Sequence, residues 1–250
     1  MQVIALYNIK GGVGKTAACV NLAYCSAKSG KKTLLWDLDS QGAASYYFNV
    51  KPVVKGGTRK LFKTKAIADL VKETDIENLD LLPADFSYRH MDLFLDSEKN
   101  SKKRMREFIG RFADDYDVLF LDCPPSFSLV SENVFNSSDV MLVPLIPTTL
   151  SLRTCDQILD YVSDHKKLDL KVLPFFSMVD RRKKLHAETI DSGPKQIKGL
   201  LQTSIPYLSI IESMGVKRAP VGVFAPASAA AAAFAALWGE VAAKVRLSGK

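Results

Sequence analysis

The sequence has few cysteines and no long apolar run, and these absences exclude several classes of protein. Cys19, Cys25, Cys123 and Cys155 are scattered through 250 residues without C-x-x-C spacing. That pattern supports neither a disulfide framework nor a thiolate metal site, so the four read as reduced, mostly buried thiols of a cytosolic protein. No apolar stretch approaches the roughly 18 residues of a membrane span, and no charged-then-apolar leader precedes the first strand-like run. The expectation is a soluble, cytoplasmic chain without a transmembrane segment. Internal repeats and linker-like segments are also absent, as is the N-K-x-D signature of guanine recognition. Apolar material is plentiful: at 47% hydrophobic and 24% charged residues, residues 1–250 have enough for one domain with its own core.

Residues 10 to 16 read Lys10-Gly11-Gly12-Val13-Gly14-Lys15-Thr16. The usual phosphate-binding loop, G-x-x-x-x-G-K-S/T, places its first glycine six residues before the lysine. Here Ile9 stands at that place and Lys10 follows it. An apolar run from Val3 to Tyr7 predicts a strand before the loop, and Thr16 to Ser29 predicts a helix stopped by Gly30. Strand, glycine bend and helix N-terminus together aim backbone N–H groups at an anion. Lys15 is expected against the β- and γ-phosphates of a nucleotide, with the Thr16 hydroxyl on Mg2+.

Further short apolar runs predict strands at Thr33–Asp37, Leu79–Pro83, Val118–Asp122, Val140–Pro144 and Val172–Ser177, with helical stretches between most of them. Alternation of this kind predicts an α/β fold, a doubly wound, mostly parallel sheet with helices on both faces and ligands at the carboxyl ends of the strands. The loop, Asp37 with Asp39, and Asp122 all fall at such ends. Asp37 and Asp39 would point the same way if their strand continued. Each aspartate has a plainer alternative as a helix cap. The alanine-rich stretch Ala225–Ala236 predicts a closely packed C-terminal helix.

Three segments, in order and spacing, resemble the ParA/MinD family of deviant Walker A P-loop ATPases. They are the K-G-G-x-G-K-T loop, Asp37-Leu38-Asp39-Ser40-Gln41-Gly42, and the strand from Asp117 to Asp122 with Cys123-Pro124-Pro125-Ser126. The Gln-Gly pair is closer to the ParA (Soj-like) branch. The resemblance implies an ATPase that sandwiches ATP in a homodimer. Residues Lys10 to Thr16 and Ala17 would hold the nucleotide, and Lys10 would reach the phosphates bound by the other subunit. Thr16, Asp37 and Asp122 would surround Mg2+, with Asp39 orienting the hydrolytic water. Met178 and Asp180, with Pro206 and Tyr207, would border the adenine, although the family's P-R-N stands here as Pro206-Tyr207-Leu208.

The formal charge is +7, which favours polyanions. Cations cluster at Lys51, Lys55, Arg59, Lys60, Lys63 and Lys65, at Arg181-Arg182-Lys183-Lys184, and at Lys217-Arg218. By resemblance the last two groups would bind DNA without sequence preference; the plain alternative is a solvated surface. Arg89, Lys102, Lys103, Arg104 and Arg106 accompany Glu98, Glu107 and Asp114 and read as a solvent face. The family also implies an activator protein, a nucleoid-associated location, and a DNA or protein cargo that is positioned. A competing expectation is a MinD-like membrane switch. It would use a stripe of Trp238, Val241, Val245 and Leu247 among Lys244, Arg246 and Lys250.

Overall fold

The computed structural model describes residues 1–245 except Lys65, Lys99, Lys166 and Lys167, and leaves out the side chain of Lys102. Seven strands form one sheet: β1 (Gln2–Leu6), β2 (Thr33–Asp37), β3 (Lys72–Glu73), β4 (Leu79–Leu82), β5 (Val118–Asp122), β6 (Val140–Leu145) and β7 (Lys171–Phe176). Their order is β3-β4-β2-β5-β1-β6-β7. Every pairing is parallel except that of β3 with β4. The predicted strands are present within about one residue at each end. The antiparallel edge strand β3 is additional, and its two charged residues offer no periodicity from which to read it.

Alternation along the strands divides the core into two layers. Val3, Ala5, Tyr7, Leu119 and Leu121 face one layer with Trp36, Phe62 and Phe108. Ile4, Leu6, Val118 and Phe120 face the other, with helix α1 (Lys15–Lys28) and the terminal helix Ala229–Lys244. The terminal helix starts later than Ala225, because the Ser228 hydroxyl caps it by accepting the Ala231 N–H at 3.2 Å. Its Leu237, Trp238 and Val241 are buried, and Trp238 packs on Phe120 at 5.8 Å. Two residues of the imagined membrane stripe, Trp238 and Val241, are therefore spent on the core; Leu247, Arg246 and Lys250 lie outside the described residues. No described helix is long and apolar enough to cross a membrane.

Strand register determines what meets at the carboxyl edge. Leu6 is paired with Asp122 and Asp37 with Asp122, so the phosphate-loop strand and two carboxylates end at one level.

Candidate functional site

The loop from Lys10 to Thr16 crosses the end of β1. Gly12 and Gly14 have φ of 71° and 85°, a left-handed conformation that suits glycine. A Cβ on Gly14 would also lie 2.9 Å from the Ser177 Oγ. Val13 is buried beneath the loop, whereas Gly11 and Gly12 are exposed. Lys15 opens α1 and is 8% exposed. Its Nζ donates to the Lys10 carbonyl at 2.9 Å. Burial pushes the Lys15 ammonium down, and the nearby Asp122, Cys123 and Asp39 oppose that shift. Asn8, which sequence reasoning passed over, braces the loop. Its amide donates to the Pro144 carbonyl at 2.8 Å and accepts the Lys10 N–H at 2.9 Å.

Asp37 and Asp122 are 0% and 1% exposed. One Asp37 oxygen accepts the Ser45 N–H and hydroxyl, each at 2.7 Å. Ser45 belongs to helix α2 (Ala43–Tyr47), whose N-cap is Gly42, so Asp37 braces the first turn of that helix without being its cap. The other Asp37 oxygen and both Asp122 oxygens are buried without a well-formed hydrogen bond. Asp122 is not the cap of the following helix, where Ser131 accepts the Ser128 N–H at 2.7 Å. Burial raises the Asp37 carboxyl to about 6 against the bonds from Ser45. It raises Asp122 as well, helped by the neighbouring Asp37 and opposed by the Thr16 hydroxyl and Lys15.

These orphaned oxygens fit a hard divalent cation. Among the described residues no cluster of three or more His, Cys, Asp or Glu could cage a metal alone. The cation would therefore complete its shell with water and phosphate, which is the habit of Mg2+. β2 ends at Asp37, as its predicted bounds have it, so Asp39 lies beyond the strand and the condition for the two to point the same way is not met. Asp39 sits in a turn, its carboxylate accepting the Gln41 N–H at 3.0 Å. Its charge is still felt by Lys15 and Asp122, so it belongs to the same crevice.

Beside the loop lies a cavity of about 210 Å³, lined by Gly12, Gly14, Ala17, Met178, Pro206 and Tyr207 among others. Met178 adopts φ 54°, and Tyr207 donates its N–H to the Val179 carbonyl at 2.9 Å. Asp180 does not line this cavity. Its carboxylate takes a two-pronged bond from Arg182 at 2.8 and 2.9 Å, which holds it down to about 2. The Tyr207 hydroxyl donates to Glu212 at 2.8 Å.

The six cations expected on DNA divide. Arg181, Lys183 and Lys217 are exposed. Arg182 is committed to Asp180, and Lys184 lies 3.6 Å from Glu188. Arg218 is folded back: its Nε donates to the Tyr46 carbonyl at 3.1 Å, with the guanidinium 4.4 Å from that ring. These local and cross-chain partners are invisible in a charge count.

Residues 1–172 match a family model described as an AAA domain (AAA_31). The chain is 30% identical over 249 residues to the sporulation initiation inhibitor protein Soj of Bacillus subtilis, covering 97% of this chain and 98% of Soj. It is 27% identical to the chromosome partitioning protein ParA of Myxococcus xanthus, over 88% of this chain and 78% of that one. The septum site-determining protein MinD of Pyrococcus horikoshii, solved with Mg-ADP, superimposes with a TM-score of 0.81 at 22% identity, covering 100% and 99% of the two chains. With the phosphate loop, the paired carboxylates and the parallel sheet, these matches settle the family: the chain belongs to the ParA/MinD family of P-loop ATPases, with Soj and ParA among its relatives.

Proposed function

We propose that this protein is an ATP-driven dimerisation switch that hydrolyses ATP, binds DNA without sequence preference and positions a DNA or protein cargo. The observation that carries the reading is the set of three orphaned buried carboxylate oxygens beside a phosphate loop that has a second lysine. Lys15 would bind the β- and γ-phosphates, and Thr16 with Asp122 would hold Mg2+, Asp122 through a water. Mg2+, when bound, would supply charge neutralisation on the phosphates. Asp39, on the turn after β2, would accept a hydrogen bond from the attacking water and orient it. Lys10, on the leading edge of the loop, would serve the phosphates of the facing subunit. A cation supplied across an interface stabilises transition-state charge only after two loaded subunits meet. ATP binding then favours association, and hydrolysis favours separation. By kinship, an activator protein would stimulate turnover, and the cycle would run on nucleoid DNA.

Light scattering with and without Mg-ATP tests the switch. The parent should dimerise only with ATP, Asp39→Ala should accumulate the dimer, and Lys10→Ala should bind nucleotide yet stay monomeric. A Lys10→Ala variant that dimerises as well as the parent overturns the cross-subunit role.

A further inference from the structure

A group of exposed cations outside the two segments expected on DNA runs from Lys51 to Lys63, and its start adjoins the second of them, where the Asn49 amide donates to the Arg218 carbonyl at 3.3 Å. In helix α3 (Gly57–Lys63), Thr58, Leu61 and Phe62 are buried at helical spacing. Arg59, Lys60 and Lys63 are left exposed, and Lys51 and Lys55 precede them, also exposed. None of the ion pairs between described residues uses any of the five. The neighbouring Asp85 is turned to the backbone, where it accepts the Val54 and Ser87 N–H groups at 2.8 and 2.9 Å. Asp69 is the one acid lining an adjoining cavity of about 290 Å³, against Lys55, Lys60 and Lys72.

A second element joins this surface. The Thr58 N–H donates to the Ser87 hydroxyl at 2.9 Å, which pins α3 to residues 86–90. There Phe86 is 62% exposed, and the Arg89 guanidinium lies over its ring at 3.9 Å. The Arg89 Nε donates to the His90 Nε2 at 2.9 Å, and a guanidinium held over an aromatic ring in this way is oriented at low entropic cost, with its terminal N–H groups left for phosphate. Arg89 is exposed, as the solvent-face expectation has it, and enters none of the ion pairs between described residues, unlike Arg104, which pairs with Glu98 and Glu107. The two segments follow the carboxyl ends of β2 and β4, on the same edge of the sheet as the phosphate loop.

We propose that the surface formed by Lys51 to Lys63 and by Arg89 is where this protein grips duplex DNA, through the phosphate backbone. The proposal rests on the DNA-binding ATPase reading above. Phosphate contact is favoured because this surface presents five exposed cations beside Arg89, whose guanidinium lies over one face of the otherwise exposed Phe86 ring. An ATP-linked dimer would present two such surfaces to one duplex, and the second would engage at high effective concentration.

The test is fluorescence anisotropy of a labelled duplex of arbitrary sequence, titrated with the Mg-ATP-loaded full chain at several salt concentrations. Combining Lys51→Ala, Lys55→Ala, Arg59→Ala and Lys63→Ala should weaken binding about tenfold or more and reduce the log–log salt slope by about 0.9 for each phosphate that is no longer neutralised. Combining Arg181→Ala and Lys183→Ala should change affinity by less than about threefold, as expected for cations outside the main footprint. Equal thermal midpoints certify the folds. If the fourfold variant fails that check, Lys51→Gln with Lys63→Gln, which keeps both side chains long and polar, carries the test and should still flatten the slope. No binding by the parent overturns the DNA reading and this surface together. Parent binding that the α3 variants leave unchanged in affinity and slope overturns this surface alone. A loss measured on phosphatidylserine vesicles, with none on DNA, overturns it in favour of a membrane contact.

Discussion

The two ends of the crevice are built on opposite plans. At the phosphate end, Lys15, Asp37 and Asp122 are buried, and three carboxylate oxygens lack a well-formed bond. At the end expected to take the base, Tyr207 is bonded to Glu212 and is 46% exposed, and Asp180, outside the cavity, is bonded to Arg182. The first end is incomplete without a ligand; the second is satisfied by the chain itself. Burying an unmatched charge costs free energy unless a partner arrives. The phosphate end therefore stores a tendency to bind, while the base end offers shape and a removable polar rim.

The largest test of this contrast is Lys15→Ala, which should lower ATP affinity about a hundredfold, the upper range for a charged hydrogen bond. Isothermal titration measures it, and a loss under about threefold would mean the phosphate end does not dominate. Next comes Asp122→Asn. Replacing a carboxyl whose charged form burial disfavours should raise the melting temperature of the nucleotide-free protein by about 2–4 °C for each kcal/mol regained. The same change should abolish the Mg2+-dependent part of ATP binding. A fall in melting temperature without ligand would show that the carboxylate is matched after all.

The pH dependence follows with its sign fixed by burial. Asp37 moves from the ordinary 3.8 to about 6 on folding, so the folded state holds the proton more tightly than the unfolded one. The nucleotide-free protein should lose stability as pH rises from about 4 to about 6, while Mg-ATP affinity rises over the same window. Thermal melts with and without Mg-ATP across that range check both trends, and parallel curves would contradict them. Smallest is Tyr207→Phe, which breaks the bond to Glu212 at an exposed position. It should alter ATP affinity by no more than about 1 kcal/mol, the usual net worth of such a bond. A larger loss would place Tyr207 in the recognition of the base.

The contrast also explains what the sequence disclosed. The phosphate loop, the strands and the three aspartates are local patterns, and the parallel sheet follows from the alternation of strands with helices. The committed cations cannot be read in the same way. Arg218 meets Tyr46 across 172 positions, and Asp37 meets Ser45 only because α2 turns back over the end of β2. The strand end at Asp37 is legible in the sequence, but the direction of Asp39 is set by the turn beyond it, where its carboxylate accepts the Gln41 N–H. Basic runs show charge, and only packing shows which charges are already engaged. Residues 51–63 keep theirs because α3 buries Thr58, Leu61 and Phe62 and turns its cations outward.

The two tryptophans of the chain fall one in each layer of the core: Trp36 beside Phe62 and Phe108, Trp238 against Phe120. Trp36 immediately precedes Asp37, and its indole N–H is buried without a well-formed acceptor. The molecule thus carries a separate optical reporter on either side of its sheet. With Trp238→Phe, the emission that remains comes from the residue next to the crevice, and its change on mixing with Mg-ATP would time the arrival of ligand without any added label.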